Sequence, residues 1–196
     1  LNPVLTIGEQ LLETIEAHTD KNGDAARSYA IELLEQAEVP EAEDRLSKYP
    51  HQLSGGLCQR IVFAIAICAR PDLIIADEPT TALDVTVQKS VLDTLKKLAK
   101  QDNIAIILIT HDMGVVAEMC DYVYVLRHGD MVEHGPTEQV LAHPSKDYSR
   151  ELMAAIPRID KKVERFAVPG GMGKSADRDR ALAFLLDRED RNVISD

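Results

Sequence analysis

Basic side chains are in short supply in this 196-residue chain: 22 Lys and Arg stand against 33 Asp and Glu, a formal net charge of -11 at pH 7. Nucleic-acid binding depends on Lys and Arg neutralising phosphates, so this balance argues against a phosphate-rich polymer as a general partner while leaving room for a local basic patch. Cysteine is scarce too. Cys58, Cys68 and Cys120 are scattered without C-x-x-C spacing, which suits a reducing compartment, argues against a disulfide framework or a zinc site, and leaves all three as packing residues. No apolar run approaches the ~18 residues of a membrane span, and the N-terminus lacks the basic and apolar regions of a signal peptide. The chain therefore reads as soluble. No internal repeat is evident. What is present is enough hydrophobic residue, 45%, to bury a core as one domain or as one domain with a small satellite. The first residue is Leu1 rather than Met, in a loop-like "LNP", which reads as a start partway through a longer protein.

Four regions follow one another. Up to about Tyr49 the periodicity is helical: Ile7, Leu11, Leu12 and Ile15 share one face, as do Ala26, Tyr29, Ala30, Leu33, Leu34 and Ala37, with Asp24 as the expected N-cap of the second helix. Next come a loop, a mostly apolar helix over about Leu57 to Ala69, and a strand over 73–77 whose continuous apolar run predicts burial on both faces. A helix over about Val85 to Lys100, with Val91, Leu92, Leu95 and Leu98 inward, leads to a second apolar strand over 104–110. Strands alternating with helices predict an α/β fold with a mostly parallel sheet. A helix near Met113 to Met119, the strand "YVYVL", a turn at His128-Gly129-Asp130, the strand "MVEHG" and helices near 137–156 complete this part. From Pro157 the chain mixes charges of both signs around a Pro-Gly-Gly break, and reads as a loosely attached tail with one helix near 177–188.

The chemistry concentrates at the strand ends. "LIIADEP" places Asp77 and Glu78 beyond the carboxyl edge of a strand, where ligands bind in α/β sheets. Neighbours on an extended strand point in opposite directions, so one carboxylate can hold a hydrated Mg²⁺ while the other orients or deprotonates a water. Alone, such a pair as readily caps a turn. "LSGG", Leu53 to Gly56, stands directly before a helix, where the Ser54 hydroxyl, close backbone approach at Gly55 and Gly56, and free N–H groups suit an anion such as a phosphate. "THD" puts His111 beyond a second strand end, within reach of the same phosphate if it is more than a hydrogen-bonded loop residue.

Taken in order, "LSGG", "LIIADEP", "ALD" and "THD" resemble the ATP-binding cassette ATPases over about Leu1 to Pro157. The resemblance implies a P-loop NTPase-like core with an α-helical signature subdomain: residues 1–70 as that subdomain, 71–157 as the C-terminal half of the ATPase core, and 158–196 as an extension. It implies that Ser54, Gly55 and Gly56 contact the γ-phosphate of ATP held by the opposite subunit. Asp77 and Glu78 would be the Walker B pair, for Mg²⁺ and for the catalytic base. Ala82, Leu83 and Asp84 would form the D-loop, which communicates across the dimer, and His111 the switch histidine that bridges to the γ-phosphate. Longer stretches, "YPHQLSGG" and "PDLIIADEPTTALDVTVQ" among them, resemble the oligopeptide, dipeptide and nickel import subfamily. That implies a peripheral subunit on the cytoplasmic face of the plasma membrane, paired with a second ATPase beneath two permeases supplied by a periplasmic solute-binding protein, with short peptides or related small solutes as cargo.

Two departures stand beside it. Leu57 and Cys58 follow the signature glycines where more polar residues are usual; both are expected to pack. More seriously, the phosphate loop G-x-x-x-x-G-K-[ST] has one look-alike, "VPGGMGKS", in which Val168 holds the first glycine position, no strand precedes it, and the order relative to the signature is wrong. It reads as a glycine turn. The chain is thus expected to be the C-terminal portion of a cassette ATPase, to bind ATP poorly alone, and to expose sheet edges and apolar faces. A non-hydrolysing module that offers its signature face to a complete subunit is the alternative; a DNA-repair or translation ATPase fits neither the acidic charge nor the subfamily stretches. No cysteine follows Cys120, so the cysteine cluster that some members of the subfamily carry in the C-terminal extension has no counterpart.

Overall fold

A computed structural model of the protein describes residues 1–155. The tail expected from Pro157, with its turn at Val168 to Ser175 and its helix near 177–188, lies outside the described residues. The chain forms two compact units, Leu1–Ile107 and a second from Leu108 onward. The border expected near residue 70 falls inside the first unit, where helices on either side of it pack together.

The first unit opens with α1 (Ile7–His18), started by a capping box in which the Glu9 N–H donates to Thr6 Oγ1 at 3.2 Å and the Thr6 N–H donates to Glu9 Oε2 at 2.7 Å. Its Ile7, Leu11 and Ile15 are fully buried and pack toward α2 (Gly23–Gln36), which buries Ala26, Ala30, Leu33 and Leu34. The N-cap of α2 is Asn22, not Asp24. The helix opens at Gly23, which turns the chain in at φ +55°, so Asp24 falls in the first turn, where its charge still complements the helix dipole. After the single turn α3 (Ala42–Arg45), α4 (Gly55–Ile67) starts two residues ahead of the expected position, because Ser54 caps it.

Strand β1 (Leu73–Asp77) buries Ile74 and Ala76, but leaves Leu73 44% and Ile75 64% exposed. The expectation of burial on both faces is therefore wrong for the described residues: side chains on a strand alternate, and only one face has cover. The amphipathic α5 (Val85–Asp102) turns Val91, Leu92, Leu95 and Leu98 inward, as its periodicity predicts. It ends at Asn103 in the left-handed conformation that asparagine tolerates. β2 (Ala105–Ile109) lies beside β1 across this helical crossover, the connection parallel neighbours use.

In the second unit, α6 (Met113–Met119) precedes a hairpin of β3 (Tyr122–Arg127) and β4 (Asp130–Pro136), paired antiparallel from Tyr122 with Pro136 to Arg127 with Asp130. His128 and Gly129, both at positive φ (52° and 83°), make the tight turn whose twist matches that of the strands. Val123 and Val125 face a core completed by Met113, Val116, Val140 of α7 (Thr137–Ala142), and Tyr148, Leu152 and Met153 of α8 (Asp147–Ala155). Among the described residues no helix is long and apolar enough to cross a membrane.

Candidate functional site

The first unit presents the N-terminus of α4 and the loop after β1. Ser54 sits in extended backbone (φ -70°, ψ 157°) and caps α4, its Oγ accepting from the Leu57 N–H at 3.3 Å. Ser54 and Gly55 are exposed, while Gly56 is buried. The glycines are needed for packing as much as for any ligand. A Cβ on Gly55 would lie 3.0 Å from Leu83 Cδ2, and one on Gly56 2.6 Å from Val87 Cγ1, so the start of α5 presses against the start of α4. Helix N-termini carry unpaired N–H groups and partial positive charge, the combination that holds phosphates. Leu57 and Cys58 are half-buried, in keeping with the packing role expected of them. The Cys58 thiol donates to the Pro50 carbonyl at 3.4 Å, and burial pushes its pKa up, so it is not poised as a thiolate.

Asp77 ends β1 and is exposed. Glu78 has already left the strand: its φ of +50° is left-handed, so strand alternation stops at Asp77 and the opposite-pointing pair expected from it is set by a turn instead. Left-handed backbone is costly for a residue with a Cβ and persists where neighbours over-determine it. Here Thr81 does so. Its Oγ1 donates to Glu78 Oε2 at 2.8 Å and its N–H to the Glu78 carbonyl at 3.2 Å, while Leu83 N–H donates to Thr80 O at 3.2 Å. Ala82 is a second left-handed residue, at φ +67°, and Asp84 then caps α5 by accepting from the Val87 N–H at 3.0 Å. The acids and Asp84 thus occupy one short, strained loop that, through Leu83 and through Val87 at the start of α5, rests on Gly55 and Gly56.

His111 belongs to the second unit. It is exposed in the link between β2 and α6, flanked by two anchored residues. Thr110, 3% exposed, accepts from the Asp112 N–H at 3.1 Å; Asp112 caps α6 by accepting from Gly114 N–H at 2.8 Å and Val115 N–H at 3.3 Å. Thr81, Thr110 and Asp112 are the residues that sequence reasoning passed over. Each lies within three positions of an expected site residue and carries a short hydroxyl or carboxylate, the usual signal for a side chain that ties up its own turn. Among the described residues no group of three or more His, Cys, Asp and Glu side chains could hold a metal ion unaided. A single carboxylate such as Asp77 is the kind of protein ligand Mg²⁺ takes when water and phosphate oxygens supply the rest.

A strand-helix-strand crossover, a helix whose N-terminus opens on Ser-Gly-Gly, and an Asp-Glu pair at a strand end give the first unit the character of an α/β protein with its motifs at element ends. The sequence model of the family described as "ABC transporter" matches residues 1–81. The chain is 47% identical over 171 residues to the oligopeptide transport ATP-binding protein OppD of Haemophilus influenzae, covering 87% of this chain and 53% of that protein. It is 49% identical over 159 residues to the glutathione import ATP-binding protein GsiA of Escherichia coli K12, covering 81% of this chain and 26% of that protein. A solved structure, the dimeric post-hydrolysis state of the ATP-binding cassette MJ0796 bound to ADP and Pi, superposes with a TM-score of 0.60 at 32% identity, over 70% of this chain and 59% of that one. Over most of its length the chain is thus similar to ATP-binding proteins of ABC transporters. It spans about half the length of OppD and a quarter of GsiA.

Proposed function

We propose that the protein carrying this chain is the ATP-hydrolysing subunit of an importer for peptides or related small solutes. The observation that carries the reading is the loop from Asp77 to Asp84, which holds the Glu78 carboxylate next to Asp77 at a strand end and packs through Leu83 on Gly55. The names of OppD and GsiA, for oligopeptide transport and glutathione import, support that substrate class. In this reading Glu78, oriented by Thr81, takes the proton from the water that attacks the γ-phosphate, and His111, in the loop before α6 of the second unit, is assigned a γ-phosphate contact by its motif. Ser54, Gly55 and Gly56 receive the γ-phosphate of a nucleotide held by the opposite subunit, and Asp84 keeps the D-loop in register at that interface. Mg²⁺ held by Asp77 would supply a positive centre that offsets charge on the phosphate oxygens. The dimeric arrangement of MJ0796 supports a second ATPase subunit as partner. Permeases, an external solute-binding protein and a place on the cytoplasmic face of the plasma membrane follow from the importer assignment. Residues 1–70 then act as the helical subdomain and 71–157 as core.

The test is isothermal titration of ATP with Mg²⁺ into the 196-residue chain and, in parallel, into the complete gene product. Tight binding and hydrolysis by the complete product, with weak binding by the shorter chain, is the expected result. Absence of hydrolysis by the complete product sinks the proposal.

A further inference from the structure

Helix α2 ends in a way its sequence does not favour. The Val39 N–H donates to Leu34 O and the Glu38 N–H to Glu35 O, both at 2.9 Å, the bond pair of a Schellman cap whose left-handed residue is usually glycine. Here that residue is Glu38, at φ +58°. Its side chain explains why it is held there. Lys97 Nζ donates to Oε1 at 2.9 Å, and Thr94 Oγ1 and Arg60 Nη1 donate to Oε2 at 3.1 and 3.3 Å. Arg60 Nη1 also donates to the Glu38 carbonyl at 2.7 Å, and its Nη2 to Ser90 Oγ at 2.7 Å. The Arg60 side chain is only 14% exposed, whereas those of Glu38 and Lys97 are 42% and 52% exposed, so the bridge is anchored at a largely buried guanidinium and open to water at its carboxylate and ammonium end. The hydrogen bond from Lys97 lowers the Glu38 carboxyl below its ordinary value.

The bridge joins the two helices that start at the site. Contacts of α4 with α5 step in one direction along both chains: Gly55 on Leu83, Gly56 on Val87, Arg60 on Ser90. The helices therefore run side by side with their N-termini at the same end. Arg60 and Ser90 each lie six residues past their caps, Ser54 and Asp84, which is about 9 Å along a helix axis. One contact zone leaves a helix free to swing about it. The glycines supply the first zone and the Glu38 bridge the second, and together they fix the direction in which the capped ends are presented.

We propose that Glu38 is a positioning residue for the site: its carboxylate locks Arg60 between α2, α4 and α5, and so fixes the Ser54–Gly56 end of α4 relative to Asp84. The part of the inference that concerns turnover rests on the ATPase reading above. Glu38→Gly and Glu38→Gln test it. Glycine suits the left-handed cap better than glutamate, so a loss in that variant reports the bridge and not the cap, whereas glutamine keeps the reach and one acceptor oxygen. In the 196-residue chain, amide hydrogen exchange is read at Leu57 and Cys58, held by Ser54, and at Val87 and Gln88, held by Asp84. In the complete gene product, kcat and KM for ATP are measured with Mg²⁺.

Glu38→Gly is expected to speed exchange at these four amides about tenfold while the thermal midpoint moves by no more than a few degrees. It should lower kcat about tenfold with KM changed less than about twofold, and Glu38→Gln should stay within about threefold of wild type throughout. Unchanged exchange in Glu38→Gly overturns the proposal, and so does a wild-type kcat. A fall in kcat that comes with a collapse of the thermal midpoint overturns it too, because Glu38 would then only hold the fold. If Glu38→Gly does not fold, Lys97→Met removes the exposed end of the same bridge and is held to the same readouts. A wild-type product that hydrolyses no ATP refutes the ATPase reading, while the exchange data still decide the bridge.

Discussion

Replacing Gly56 by alanine tests the packing that brings the starts of α4 and α5 together. The added methyl would sit 2.6 Å from Val87 Cγ1, more than 1 Å inside ordinary carbon contact at about 3.5–4 Å. Val87 cannot step aside cheaply, since a β-branched side chain in a helix has one strongly preferred rotamer. The helices must separate or the valine must leave its well, and overpacking of this kind costs about 1–3 kcal/mol. Alanine returns part of that through helix propensity, at most about 1 kcal/mol and less this close to the helix start. The net expectation is a loss of about 1–2 kcal/mol, a drop of roughly 5–10 °C in thermal midpoint for a unit of this size. Gly55→Ala serves as control. Its methyl would meet only Leu83 Cδ2, the far end of a flexible side chain, at 3.0 Å, so it should cost about 0.5 kcal/mol or less. Thermal and urea unfolding followed by circular dichroism, with Val87→Ala completing a double-mutant cycle, gives the coupling directly. A coupling of about 1 kcal/mol or more, with the double variant recovering stability, is the expected outcome. If Gly56→Ala is as stable as wild type, or Val87→Ala fails to relieve it, the contact is not what requires glycine.

Further outcomes can be checked independently. In the complete gene product Glu78→Gln should abolish ATP turnover while leaving ATP binding intact, because it removes the base and not the nucleotide cradle; near-normal hydrolysis would reassign Glu78. His111→Ala should also cut turnover sharply, and an unchanged rate would make it an ordinary loop histidine. Thr81→Val removes the hydroxyl that orients Glu78 and should lower kcat about tenfold with little change in KM, a split that steady-state kinetics resolves. In the second unit, burial works against the charge on Glu133, but hydrogen bonds outweigh it and hold the carboxyl at about 2. The Ser145 N–H and hydroxyl each donate at 2.7 Å and the Lys146 N–H at 3.3 Å, and the buried Ser149 hydroxyl beside the carboxylate lowers it further without reaching hydrogen-bond geometry. A carboxyl depressed in the fold adds stability that is complete above its ordinary value of 4.5 and is lost as pH falls toward 2, about 3 kcal/mol at most. Glu133→Gln should remove most of this at pH 7 and flatten the acid side of the stability profile; a profile of unchanged shape would refute the assignment.

Much of this protein is legible locally. The stripe Ile7, Leu11, Ile15, the inward face of α5 and the positive-φ turn at His128-Gly129 follow from helical periodicity and turn chemistry, because each depends on residues within one or two turns of one another. The places of Ser54, Asp77, Glu78, Asp84 and His111 at element ends are legible for the same reason: short motifs sit where periodicity stops. Asn22 displaced Asp24 as cap because two capping residues stood within one turn and sequence does not say which will leave extended backbone. β1 lost cover on one face because an apolar run records the wish to be buried and not the presence of a partner. Glu38 shows the division most plainly. A glutamate after a helix carries no local mark, yet it takes up left-handed backbone because Arg60, Thr94 and Lys97, more than twenty residues away, converge on its carboxylate. Periodicity and turn chemistry are local, so the sequence determined the elements and the positions of the motifs; charge pairing across such separations exists only once the chain has folded, so tertiary structure alone decided how those motifs are held.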